Sequence, residues 1–274
     1  MNRSTLPPDT RIGTLHLRVD DLDAQVAFYE DVLGFFLLAE DETTAALGTA
    51  EGRWPLLVLN ASPGAPPRRP GTTGLFHMAF RVPARADLGA MVLRIRANRT
   101  SIDGFADHNV SEAVYLTDPE GNGIELYVDR ARDVWHSVEG GIFMTTEPLD
   151  LPGLLLAAPG PASRLPPGTV VGHVHLRVAT LARAEDFYVG RLGLDVTARS
   201  YPGALFVSAG GYHHHVGLNV WGGEGAYVPE EGSRGLVSFD LIVPSSEARR
   251  RILGGADEGT LLDPDNIGVR IAHQ

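Results

Sequence analysis

Residues 15–35, LHLRVDDLDAQVAFYEDVLGF, and residues 174–194, VHLRVATLARAEDFYVGRLGL, decide how the chain is read, because they are one design used twice without a gap. His16 aligns with His175, Phe28-Tyr29 with Phe187-Tyr188, and Leu33-Gly34 with Leu192-Gly193. Each stretch begins as an alternating apolar strand, passes a short polar turn, takes up helical spacing and stops at a glycine. Recurrence of such a unit is the signature of a modular fold.

A weaker pair extends the repeat. GLFHMAFRVP (74–83) aligns with GLVSFDLIVP (235–244), and DPEGNGIELY (118–127) aligns loosely with DPDNIGVRIA (263–272). The expectation is an α+β protein of four βαβββ modules at about 9–60, 72–130, 168–222 and 233–274. The joins are rich in Pro and Gly. The connection over 131–167, about 40 residues, is longer than loops inside compact domains, so it reads as a linker between an N-terminal pair (9–130) and a C-terminal pair (168–274).

A chain of 274 residues can bury two cores. Its formal net charge of -11 argues against nucleic acid or an anionic membrane surface as a partner. No apolar run approaches the roughly 18 residues of a membrane span. The opening MNRSTLPPDT lacks the apolar centre of a signal peptide, so a cytoplasmic location is expected. There is no cysteine, so any metal must be held by imidazole nitrogen and carboxylate oxygen.

Modules with His on an opening strand and Glu on a closing strand resemble the vicinal oxygen chelate (glyoxalase-like) superfamily, and most closely its catechol-2,3-dioxygenase-like, extradiol ring-cleaving branch. The resemblance covers the chain from about residue 10 onward. Its most specific piece is HNVSEAVYLTDPEGNGIE, residues 108–125. By this resemblance His108 and Tyr115 become catalytic, hydrogen-bonding the substrate and oxygen atoms, and Glu125 becomes a metal ligand after the Asp118-Pro119 turn. Ala106, two residues before His108, departs from the family's usual choice. The fold implied is two open, barrel-like domains.

Two imidazoles and one carboxylate on one face of Fe(II) leave adjacent positions for a catecholate and O₂, and Mn(II) could serve in the same set. The opening strands offer His16, His77 and His175, while Ser238 stands at the equivalent place in module four. Glu125 is the closing-strand carboxylate, and Arg270 stands where module four would need one. Two pairings are therefore open. Modules one and two would give His77, Glu125 and His16. Modules two and three would give His77, Glu125 and His175, the preferred third ligand, and would add the run His213, His214, His215 from GGYHHHVGLNVW (210–221).

Read as a strand, that run points His213 and His215 to one side and His214 to the other. The resemblance implies that one of them, His214 or His215, is the acid-base that takes the catechol proton, a task suited to imidazole. His173 shares a face with His175 but reads as a cap on the rim of the site. His136 and His273 lie in no motif and read as exposed. Trp54, Trp221, Phe76 and Phe80 are candidates for apolar walls, with core packing as the alternative.

The expected activity is extradiol ring cleavage of a small aromatic diol with O₂, in a chain that could form a homo-oligomer. Two readings compete with it. A glyoxalase-type isomerase or lyase would bind its metal through four ligands, His77, Glu125, His175 and His215. A bleomycin-resistance-type binding protein would use the same fold as a metal-free apolar groove.

Overall fold

The computed structural model describes residues 5–139 and 141–273. Module one is β1 (Arg11–Val19), α1 (Leu22–Ala27), β2 (Phe36–Glu40), β3 (Thr44–Gly48) and β4 (Leu57–Ala61). Module two is β5 (Gly74–Arg81), α2 (Arg85–Ala97), β6 (Gly104–Asp107), β7 (Ser111–Thr117) and β8 (Gly123–Asp129). The connection holds β9 (Ser137–Val138), β10 (Gly141–Ile142) and α3 (Leu151–Ala157). Module three is β11 (Val170–Arg177), α4 (Leu181–Glu185), β12 (Asp195–Ala198), β13 (Ala204–Ser208) and β14 (Val216–Asn219). Module four is β15 (Gly235–Val243), α5 (Ser246–Ile252), β16 (Thr260–Leu262) and β17 (Gly268–His273), one strand shorter than the others among the described residues.

The duplicated openings fold alike for local reasons. Asp21 and Thr180 accept hydrogen bonds from the backbone N–H groups of Ala24 and Arg183, capping α1 and α4. Both helices widen into a π-helical turn, over Phe28–Val32 and Asp186–Arg191. They end at Gly34 and Gly193, whose φ values of 75° and 89° a side chain would resist. The wide turn presents the Phe-Tyr pair to the core. Tyr29 donates to Asp118 at 3.0 Å and Tyr188 to Asp263 at 2.8 Å, so each tyrosine ties its module to the Asp-Pro turn of the next one.

The sheets, however, are built across the two halves of the chain. One runs β16-β17-β15-β1-β4-β3-β2 and joins modules four and one; the other runs β6-β7-β8-β5-β11-β14-β13-β12-β10-β9 and joins modules two and three. Neither closes on itself. Modules two and three thus share a sheet, the preferred of the two pairings, and the sheets cut across the halves 9–130 and 168–274. Neighbouring modules meet through buried faces instead of strand edges, with the Phe35 ring 5.2 Å from Phe80 and the Tyr29 hydroxyl on Asp118. The free edges of β1 and β5 are then taken by β15 and β11, antiparallel in both cases.

The 131–167 connection is correspondingly structured and not a bare linker. It adds β9 and β10 beside β12 and carries Leu154 into the core. Among the described residues no helix is long and apolar enough to cross a membrane.

The central strands have two distinct faces. Met78 and Phe80 of β5, Ile124 and Leu126 of β8, and Val174 and Leu176 of β11 enter one apolar cluster shared by both sheets. The alternate residues His77 and Ala79, Glu125 and Tyr127, and His173 and His175 lie on the other face, as a period of two requires.

Since each sheet needs strands from both halves, the isolated fragment 1–139 should leave β1 and β5 as bare edges. Size-exclusion chromatography and thermal circular dichroism of that fragment should show an associated or unfolded species. A cooperatively melting monomer would contradict the topology.

Candidate metal centre

β5 lies between β8 and β11, and the register sets its alanine between two functional groups: Ala79 pairs with Glu125 on one side and His173 on the other. The methyl group leaves the space above it empty, so the longer side chains can lean inward toward His77. His77 Nε2 and His173 Nε2 lie 2.9 and 3.1 Å from Glu125 Oε2, and 3.4 Å from each other. All three residues are buried. An ion about 2.1 Å from each of three ligands at right angles would hold them about 3.0 Å apart. The triangle has that size, and its donor set of two imidazoles and a carboxylate suits a divalent transition metal.

Close backbone approach makes the convergence possible. A Cβ on Gly123, two residues before Glu125, would strike the Phe76 carbonyl, and one on Gly172 would overlap the Tyr127 hydroxyl beside His173. Burial alone would raise the carboxyl of Glu125, but His173 and then His77 outweigh it and hold the group well below the usual carboxylate range. Burial drives His173 down to about 4 against the pull of Glu125. The centre therefore sets an ionised carboxylate beside an unprotonated His173, the protonation state that binds metal.

The other expected residues separate into three groups. His175 pairs across the strands with His77, their ring centroids 4.9 Å apart, yet its Nε2 joins no hydrogen bond and the ring lies over Gly217 instead of entering the triangle. The third converging imidazole is thus His173, not the preferred His175: both share a face, and only the position beside Ala79 has room to lean in. His16 is in the other sheet, 3.5 Å from Asp240 and 2.6 Å from Arg270, and cannot reach Glu125's site.

His108 and Tyr115 do come to the centre. The Nδ1–H of His108 donates to the Thr145 carbonyl at 2.6 Å, and its Nε2 accepts from the Tyr115 hydroxyl at 2.7 Å. Tyr115 pairs with Glu125 across β7 and β8, and burial followed by that carboxylate's charge pushes its hydroxyl well above the ordinary value.

The histidine run is not on a strand. It precedes β14, and each ring goes a different way. His213 is fully buried and donates from Nε2 to Asp129 at 3.0 Å; its Nδ1 is 2.7 Å from His214 Nδ1. Since His213 Nε2 donates to Asp129, its Nδ1 accepts from His214 Nδ1–H, and the lone pair of His214 is left on Nε2. His214 lines the cavity of the metal centre, its ring 4.1 Å from that of His173. His215 turns the opposite way. Its Nδ1 accepts from Ser208 Oγ and the Ala209 N–H, and its ring lines a separate cavity. The period-two expectation for this run fails because bends replace the strand, and His215 is thereby removed from the metal centre.

The cavity over the centre has a volume of ≈ 520 Å³. Phe76 and Trp221 line it, edge to face at 5.3 Å, together with Met144, Tyr201 and Phe206. Phe80 is core, and Trp54 lines the other cavity. Sequence reasoning missed His173 as a converging residue, Ala79 as the space-maker and Asp129 as the anchor of the histidine run. The shared parity of His173 and His175 was the available signal for the first; nothing local marked the others.

The family description Glyoxalase/Bleomycin resistance protein/Dioxygenase superfamily matches residues 11–126. The chain is 42% identical over 250 residues to catechol-2,3-dioxygenase of Bacillus subtilis (strain 168), covering 89% of this chain and 86% of that one. It is 32% identical over 120 residues to biphenyl-2,3-diol 1,2-dioxygenase 3 of Rhodococcus globerulus, 43% of this chain and 63% of that one. The structure of glyoxalase I from Zea mays has the same fold, with a TM-score of 0.57 at 18% identity over 97% of this chain and 92% of that one.

Burial also holds His175 and His214 well below the usual imidazole value and takes His215 down to about 3. Between those folded values and the unfolded value near 6.5, the unfolded chain carries more protons, so stability falls as pH falls. Each such imidazole adds up to about 1.4 kcal/mol per pH unit to the slope. Denaturant melts of the metal-free protein from pH 7 to 5 should show this decline, and His215→Gln should flatten it by about 1 kcal/mol per unit. An unchanged slope would show that His215 is not held neutral by the fold.

Proposed function

The chain belongs to the catechol-2,3-dioxygenase-like branch of the glyoxalase/bleomycin resistance protein/dioxygenase superfamily, and on that premise we propose that it is an Fe(II)-dependent extradiol dioxygenase. Its substrate is a small catechol-like diol, with O₂ as co-substrate. The observation that carries the reading is the convergence of His77, Glu125 and His173 beneath an aromatic-walled cavity that His214, His108 and Tyr115 also line. Fe(II), or Mn(II) in its place, would be held by these three residues and would supply the Lewis-acid and electron-transfer chemistry that a diol and O₂ need to react.

The protein's part is binding, orientation and proton transfer. Phe76, Trp221 and Phe206 give the ring an apolar slot and keep water from the diol edge. His214 Nε2, kept unprotonated by burial and by its bond to His213, is placed to take a hydroxyl proton from the arriving diol. Asp129 steadies that base through His213 and stabilises the positive charge the pair acquires, and Arg81 at 2.9 Å holds Asp129 in turn. Tyr115 stays protonated and donates to His108, leaving its own oxygen free to accept from a substrate hydroxyl.

The four-ligand, glyoxalase-type alternative requires His215 on the same metal, and that ring faces the other cavity. A metal-free binding groove would leave the buried Glu125 without the cation that best offsets its charge.

Anaerobic reconstitution should give one Fe(II) per chain and oxygen uptake with catechol. His173→Ala should lose at least about tenfold in iron affinity, and activity with it, whereas His16→Ala and His175→Ala should keep their iron. Iron retained in His173→Ala but lost in either of the others would overturn the ligand set.

His214→Gln should lower kcat by about 10²- to 10⁴-fold, the usual worth of a general base, with iron content unchanged. Asp129→Asn should lower kcat by about tenfold or more with KM and iron nearly unchanged, and should shift the acidic limb of the kcat–pH profile. A profile identical to that of the parent would remove Asp129 from the proton path.

A further inference from the structure

We propose that the cavity lined by β1 and β17 on one side and by Arg81, Gly172 and His215 on the other is a second binding site, for a small organic carboxylate with an apolar body. Its volume is ≈ 830 Å³, larger than the cavity of the metal centre. The strand registers show that its Arg270 end is the counterpart of the metal centre. His16 pairs with Ser238 as His175 pairs with His77, and Asp240 pairs with Arg270 as Ala79 pairs with Glu125. Thr14, two residues before His16, occupies the place of His173.

The chemistry at the equivalent positions has been inverted. Thr14, Ser238 and Arg270 stand where His173, His77 and Glu125 converge in the other sheet, so no ligand triangle exists and a guanidinium replaces the carboxylate. A fixed positive charge there repels a metal ion and draws an anion. Arg270 is steadied by its neighbours: its Nε is 3.3 Å from Asp240 Oδ1, and its Nη1 donates to His16 Nε2 at 2.6 Å. Those contacts leave Nη2 uncommitted among the described residues.

The surrounding wall has the same sign. Arg53 and Arg132 line the cavity with Arg270, as do Arg11 and the Asp129-bound Arg81, with Asp240 the one acidic residue among the described lining residues, in a chain whose net charge is -11. All 23 of the chain's cationic residues are arginine, the side chain whose planar fork matches a carboxylate. Trp54, Leu56 and Ile242 supply apolar surface between the charges. A charged head beside an apolar body is the ligand this lining complements.

The test is isothermal titration calorimetry of benzoate into the metal-free full-length chain at low salt, where no turnover is involved and the outcome is independent of the dioxygenase reading. Benzoate should bind saturably and more weakly as salt is raised. Arg270→Gln should weaken it by about tenfold or more and Arg53→Gln by a smaller factor, while benzyl alcohol and inorganic phosphate should each bind at least about tenfold more weakly than benzoate. Circular dichroism checks that the variants fold, and if Arg270→Gln does not, Arg53→Gln decides. Absence of saturable binding, or binding unchanged by the arginine substitutions, would overturn the site. Benzyl alcohol or phosphate binding as tightly as benzoate would overturn the ligand class.

Discussion

A buried carboxylate must find positive charge or give up its own, and that constraint on Glu125 organises the centre of this protein. Glu125 is 2% exposed on a strand whose neighbours are apolar. Two imidazoles from two different modules turn toward it, and the alanine on β5 between Glu125 and His173 leaves them room. Removing either imidazole would strand a charge in a medium that cannot solvate it. A divalent ion satisfies all three groups together, which is why the same residues that strain the fold without metal define its chemistry with metal.

The modular repeat explains how one sequence design yields two cavities with opposite character. Both sheets place a pair of opening strands antiparallel at the same register, with a closing strand parallel to each of them. In one sheet the inward positions are His, His and Glu; in the other they are Thr, Ser and Arg. The backbone is common to both and the side chains decide what each cavity attracts. Between the two lies the histidine run, with His214 turned to the metal centre, His215 to the arginine-lined cavity, and His213 bonded to Asp129 in the wall.

Much of this was legible in the sequence. The gapless repeat, with its glycine stops, carries local information and identified modules one and three, and the weaker pair identified modules two and four. The segment from His108 to Glu125, read through its family resemblance, named three residues that line the cavity of the centre. What failed was non-local or below the resolution of periodicity. Parity places His173 and His175 on the same face and cannot say which one leans inward; that choice belongs to Ala79 on a neighbouring strand. Three consecutive histidines look like an extended segment, but hydrogen bonds to Asp129, Ser208 and the Ala209 N–H bend the chain and send the rings apart. The pairing of modules across the halves was left open because strand edges of similar composition carry no label of their partner.

Anomalous diffraction at the iron edge from anaerobically prepared, Fe(II)-loaded crystals tests the central claim most directly. The account predicts one peak per chain, within about 2.3 Å of His77 Nε2, His173 Nε2 and Glu125 Oε2 together. A peak bound by His175 in place of His173, or one lying beside His16 and Asp240, would contradict it.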